Sequence, residues 1–209
     1  MVIADVSGKG ISAALLMAFV RPVMRSALDR SGDPVEALER TNHILVDERR
    51  TGLFVTVLAG VLQLDSGTFT FANGGHEPPL LVPDGGTEPS WLLGGGPLLG
   101  LFDRLDVRPE TVEIARGASL VMYTDGITDA ASPSGERFGE ARFLAAVGGA
   151  GAVLGGGSGR GSGGGASPRA GICRDVIDTV LGFQGGAEPA DDLALLVLHR
   201  ARQIAAKDS

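Results

Sequence analysis

Three aspartates set against apolar segments constrain this chain more than any other feature of its sequence. Val2-Ile3-Ala4 runs into Asp5, Leu120-Val121-Met122-Tyr123-Thr124 runs into Asp125, and Asp191-Asp192 stands directly before the apolar run Leu193 to His199. Short apolar runs bounded by Gly, Ser or acidic residues read as buried strands, so each carboxylate is expected at a rigid sheet end. Strand ends that converge would hold carboxylates that repel one another at neutral pH unless divalent cations neutralise them. The alternative is that each aspartate merely caps its own turn. Oxygen-only donors suit Mg or Mn, whereas the one cysteine, Cys173, and the three histidines lack the spacing of zinc ligands.

The segments between these aspartates predict an alternation of helices and strands. Ile11, Leu15 and Phe19 form one apolar track at helical spacing, Leu16, Val20 and Val23 form a second, and Pro22 predicts a kink. The Phe and Leu residues of the helices are expected in the core. Asp33-Pro34-Val35-Glu36 has the N-cap, first-turn Pro and third-position Glu of a helix start, and the second helix is expected to run towards Arg49. Phe54 to Leu64, the turn Asp65-Ser66-Gly67 and Thr68 to Ala72 predict a β-hairpin. Further strands are expected at Leu80 to Val82, Ala118 to Tyr123 and Leu193 to His199, with helices at Phe138 to Val147 and Ile172 to Phe183. Leu92 to Phe102 carries too many glycines for regular structure. Gly148 to Gly171 has little to bury and reads as a flexible insertion within one domain spanning residues 1–200, followed by a tail at 201–209.

Composition narrows the function classes. A net charge of -7 disfavours nucleic acid and anionic membrane surfaces as partners, since both select a basic face. The longest apolar stretch, Ala13 to Val20, ends at Arg21, short of the roughly 20 residues of a membrane span. With no disulfide pair and no leader-like segment, a cytoplasmic location is expected. Two phosphate motifs fail on inspection. Ser7-Gly8-Lys9-Gly10 lacks the hydroxyl residue after Lys9 and the earlier Gly that a P-loop requires. Tyr123-Thr124-Asp125-Gly126 would place Tyr123 where a haloacid-dehalogenase phosphatase has its nucleophilic Asp.

Five ordered motifs carry a resemblance. Asp5-Val6-Ser7-Gly8-Lys9-Gly10, Ala72-Asn73-Gly74-Gly75-His76-Glu77-Pro78-Pro79, Pro97-Leu98-Leu99-Gly100, Tyr123-Thr124-Asp125-Gly126-Ile127-Thr128-Asp129-Ala130 and Ala190-Asp191-Asp192-Leu193-Ala194 are similar to the SpoIIE and RsbU branch of the metal-dependent, type 2C protein phosphatases. The resemblance implies an α+β fold, an α-β-β-α sandwich of two antiparallel sheets flanked by helices. It also implies two Mn or Mg ions, with Asp5 bridging both, Val6 offering its carbonyl, and Asp125 and Asp191 completing the protein ligands. In such a centre, ions about 3.5–4 Å apart lower the pKa of a shared water and clamp the phosphoryl oxygens. Lys9 either binds substrate phosphate or caps the loop into the following helix. The implied substrate is a phosphoserine or phosphothreonine protein, with an anti-anti-sigma factor of the STAS type as the class typical of this branch.

The family's acidic strand upstream of the bridging Asp has no counterpart here, because only four residues precede Asp5. The chain is therefore expected to be an N-terminally truncated domain with an unpaired sheet edge. A second functional reading follows, a regulatory module that binds a phosphoprotein without turning it over. His76 is expected to shape a turn near the site, Asp129 and Asp192 to be turn or surface acids, Thr128 to bond the Asp125 loop, and Cys173 to be a small buried side chain.

Overall fold

The computed structural model describes residues 1–47, 52–152, 171–186 and 191–202. The chain forms two compact units, Met1–Pro78 with Leu92–Ile114, and Pro79–Trp91 with residues from Ala115 onward. Each is an antiparallel four-stranded sheet with two helices.

The first unit begins with β1 (Val2–Val6), followed by α1 (Ile11–Ser31), α2 (Pro34–Asp47), β2 (Val55–Leu62) and β3 (Thr68–Gly74). Antiparallel pairing sets the sheet order β1-β2-β3-β6, the last strand being β6 (Glu110–Glu113), and leaves β1 at the sheet's end. Strand periodicity divides each strand between two faces. Val6, Val55, Val57, Ala59 and Ala72 pack with Val20, Met24 and Ala27 of α1 and Ala37 and Leu38 of α2, so Ile3, Asp5, Thr56 and Leu58 lie on the opposite face.

The helix starts are local chemistry. Asp33 Oδ1 accepts from the amides of Val35 and Glu36 at 2.8 and 3.4 Å, which caps α2 as its sequence predicts. Gly32 closes α1 in a left-handed conformation, its amide donating to the Leu28 carbonyl. The stretch from Leu92 is irregular, as its glycines predict, but anchored. Leu99 exchanges two backbone bonds with Val55 at 3.0 and 2.8 Å. The buried Asn42 donates to the Phe102 carbonyl and accepts from the Gly100 amide, both at 2.9 Å.

Two expectations for α1 are corrected. Of its two apolar tracks only one faces the sheet, because an amphipathic helix buries a stripe and not its whole circumference. Met24 is 1% exposed, whereas Ile11, Leu15 and Phe19 are 81%, 66% and 42% exposed. The helix runs through Pro22 to Ser31, as its apolar tracks predict, but the expectation that its apolar stretch is too short for a membrane span does not hold, since by length and composition the helix is long enough to cross a membrane. Its buried side chains belong to the core of this unit.

The second unit contains β4 (Leu80–Val82), β5 (Ser90–Trp91), β7 (Ser119–Tyr123), α3 (Gly139–Ala152), α4 (Gly171–Gln184) and β8 (Leu195–His199), with sheet order β5-β4-β7-β8. All five residues of β7 are buried. Tyr123 and Phe143 pack at 4.3 Å between ring centroids, and Phe138 meets Phe183 edge-on at 5.3 Å. The short strands β5 and β6 have no counterpart in the sequence reading, because two and four largely polar residues carry no usable alternation. Helix α3 continues through Gly148 and Gly149 to Ala152, past its expected end, and the rest of the expected insertion up to residue 170 lies outside the described residues. So do the residues just beyond Asp47 towards Arg49, and most of the expected tail.

Candidate active site

In the second unit the site is built on β7. This fully buried central strand delivers Thr124, which is 2% exposed, and then Asp125. Thr124 staples the loop after β7 to the chain entering β8. Its amide donates to the Ala194 carbonyl at 3.1 Å, its hydroxyl donates to the Asp192 carbonyl at 2.9 Å, and the same hydroxyl accepts from the Ala194 amide at 3.0 Å. Gly126 makes the close approach possible. A Cβ there would collide with the Asp192 carbonyl oxygen and stand 3.4 Å from the Asp191 carbonyl carbon.

This packing brings Asp125 and Asp191 under one another's influence. Burial raises the pKa of Asp125 above the usual carboxylate value, and the charges of Asp191 and then Asp129 push it further up, against weaker opposing backbone hydrogen bonds. Asp125 Oδ1 is buried and has no hydrogen-bond partner among the described residues. The loop itself is held without it: the Asp129 amide donates to the Asp125 carbonyl at 2.7 Å and the Thr128 hydroxyl to the same oxygen at 3.2 Å. Asp129 points to Arg137 at 3.0 Å as a surface ion pair. Asp191 Oδ1 accepts from the Asp192 amide at 2.9 Å, so the turn-capping reading of Asp191 is realised in part.

In the first unit Asp5 lies in β1 directly across from Thr56, and Val6 across from Val55. The turn beyond is fixed by Ser7, whose amide donates to the Phe54 carbonyl at 2.9 Å and whose hydroxyl accepts from the Phe54 amide at 2.8 Å. Gly8 and Gly10 both have positive φ, 86° and 84°, which lets the chain reverse from β1 into α1 and leaves Lys9 exposed at the reversal. His76 is buried beyond β3. The Asn73 side chain donates to its carbonyl at 2.9 Å and accepts from its amide at 2.8 Å, the turn that the sequence predicts, and His76 Nδ1 lies 2.9 Å from Thr56 Oγ1.

Among the described residues no three His, Cys, Asp or Glu side chains form a ready cation cage. The structure brings Asp125 and Asp191 together, while Asp5, Val6 and Lys9 stand in the other unit. A buried carboxylate oxygen lacking a donor, beside a second carboxylate, is nonetheless a fit for a hard divalent cation, which takes oxygen ligands and removes the repulsion. Sequence reasoning found the aspartates but missed the structural part played by Thr124 and Thr56. Thr124 was visible inside its motif; Thr56 carries no local signal, because its importance comes from cross-strand register.

Residues 1–201 match the family described as Stage II sporulation protein E (SpoIIE). The chain belongs to the SpoIIE family. Among curated relatives, this SpoIIE-family chain is 29% identical over 133 residues to the phosphoserine phosphatase RsbU of Bacillus subtilis, a match covering 64% of this chain and 40% of RsbU. Among solved structures, it resembles the RsbU and RsbW domains of a Mycobacterium tuberculosis protein, with TM-score 0.71 and 25% identity over 96% of this chain and 51% of the other. It also resembles the SiaA-PP2C domain of Pseudomonas aeruginosa, with TM-score 0.74 and 20% identity over 95% and 73% of the two chains. The SpoIIE-family chain therefore has the expected α+β fold of the PP2C phosphatases, with two antiparallel sheets and flanking helices. It spans less than half the length of the curated relatives it matches.

Proposed function

We propose that this SpoIIE-family chain is the catalytic part of a metal-dependent protein serine/threonine phosphatase that hydrolyses phosphomonoesters on a bacterial regulatory phosphoprotein. The observation that carries the reading is the buried, donorless oxygen of Asp125 beside Asp191, in a chain whose residues 1–201 match the family. Asp125, Asp191, Asp5 and the Val6 carbonyl would hold two Mn or Mg ions. When bound, such ions supply charge neutralisation and a water of lowered pKa for in-line attack on phosphorus.

The chain's own residues do the positioning. Thr124, bonded to both Asp192 and Ala194, keeps Asp125 and Asp191 in one arrangement, so no reorganisation of the carboxylates is needed as charge develops. Lys9, on its exposed turn, meets the phosphoryl oxygens of the substrate. The substrate is a phosphoserine protein, a reading supported by the likeness to RsbU, which is named a phosphoserine phosphatase, and within that class an anti-anti-sigma factor of the STAS type. The absence of paired cysteines accords with a cytoplasmic setting.

The test is hydrolysis of p-nitrophenyl phosphate and of a phosphoserine peptide, with Mn and with EDTA. Wild-type turnover that EDTA abolishes and Asp125→Ala lacks supports the reading. Equal rates in wild type and Asp125→Ala would refute it, and peptide binding without hydrolysis would favour a non-catalytic binding module.

A further inference from the structure

The residue row across the first sheet lines up Asp5, Thr56 and His76, of which the proposed chemistry uses only Asp5. Asp5 of β1 and Thr56 of β2 are direct cross-strand partners. Both lie on the sheet face opposite the one that packs with α1 and α2, where directly opposed residues bring their Cβ atoms within about 4.5–5.5 Å. Continuing the same row, His76 Nδ1 reaches Thr56 Oγ1 at 2.9 Å.

His76 is not a loosely placed surface ring. It is 7% exposed, and Asn73, 3% exposed, holds both its amide and its carbonyl through one side chain. A turn secured at both backbone groups fixes where the imidazole stands against the side chain it faces.

Hydrogen-bond polarity gives this row a direction. A hydroxyl has one proton, and an ionised carboxylate only accepts. Were Thr56 to donate to His76 Nδ1, its proton would be spent, and only lone pairs would remain for the neighbouring carboxylate. Were Nδ1–H to donate to Thr56 Oγ1, the threonine proton would be available for Asp5.

We propose that His76 is a positioning residue for Asp5, acting through Thr56: Nδ1–H of His76 donates to Thr56 Oγ1, which turns the Thr56 hydroxyl proton onto the Asp5 carboxylate. The inference rests on the proposed role of Asp5 in holding a metal ion. It assigns to the Asn73–His76 segment an orienting duty beyond the turn it makes. A carboxylate so oriented presents a fixed oxygen to a cation, and loss of a partner of this kind typically lowers metal affinity 10–100-fold.

The experiment uses the full chain and two readouts, Mn binding by titration calorimetry and the imidazole tautomer by nitrogen-15 NMR. The expected tautomer in the metal-free protein carries its proton on Nδ1. Thr56→Val should weaken Mn binding about 10-fold and Thr56→Ser should restore it. His76→Asn, which keeps an N–H near the Nδ1 position, should bind Mn better than His76→Gln. The double variant Thr56→Val with His76→Ala should bind no worse than Thr56→Val alone, because the two residues act in series.

A proton on Nε2 with Nδ1 unprotonated, Mn binding by Thr56→Val equal to wild type, or additive losses in the double variant would each overturn the inference while leaving the proposed phosphatase intact. Failure of the wild-type chain to bind Mn would instead overturn the proposed function, and the role of Asp5 with it.

Discussion

The Thr124 hydroxyl donates to the main-chain carbonyl of Asp192 at 2.9 Å, and so ties the end of a buried strand to the acidic segment that enters β8. This bond, and the one Thr124 accepts from Ala194, make the Asp125–Asp191 pairing a property of the fold and not of two independent loops. Thr124→Val keeps the shape and removes both bonds. The expected outcome is a loss of about 1–3 kcal/mol of stability, read by urea denaturation, together with weaker Mn binding.

Gly126 tests the same closeness from the other side. Any side chain there meets the Asp192 carbonyl oxygen, an atom of the main chain that cannot swing aside. Gly126→Ala is expected to push the two acidic segments apart. Mn-dependent hydrolysis should fall by at least about 10-fold, as a small misplacement of reacting groups commonly costs more than that, while circular dichroism remains that of a folded protein.

Asp125 sets a pH dependence for the metal-free protein. Its folded pKa is raised above the unfolded value, so folding takes up a proton within that window. Stability contributed by this group is therefore highest below the ordinary carboxylate value, declines as pH rises through the raised value, and stays low above it. In EDTA, Asp125→Asn is expected to be more stable than wild type at pH 7, with the difference vanishing at about pH 3. A wild-type chain as stable as the variant at pH 7 would contradict the shift.

The two tracks of α1 give a contrast in energetics. Met24 is 1% exposed inside the first core and Phe19 is 42% exposed. Met24→Ala is expected to cost about 2–5 kcal/mol, the range for truncating a buried side chain. Phe19→Ala should cost about 0.5 kcal/mol or less, the range of surface changes. Chemical denaturation of the two variants decides it.

Asp33, the β2–β3 hairpin and the strand ends at Asp5 and Asp125 were legible because their signals are local: a capping side chain within its own first turn, a Gly turn between two apolar runs, an apolar run broken by an acid. The exposed face of α1 was not legible. Ile11, Leu15 and Phe19 are as apolar and as regularly spaced as residues in a buried stripe, and only the position of the sheet decides which track it covers. Strands β5 and β6 were also invisible, since each exists by pairing with a stronger neighbour.

The sequence by itself determined the order of the helices and of every strand but β5 and β6, the acids in β1 and just beyond β7, and the membership of the SpoIIE family, since these depend on periodicity and on motifs written along the chain. Tertiary structure alone decided that Thr56 stands between Asp5 and His76, and that Thr124 joins Asp125 to the Asp191–Asp192 turn. The reason is physical. Cross-strand register and loop packing are fixed by which distant backbone groups find partners, and a hydroxyl acquires its direction only when both neighbours are in place.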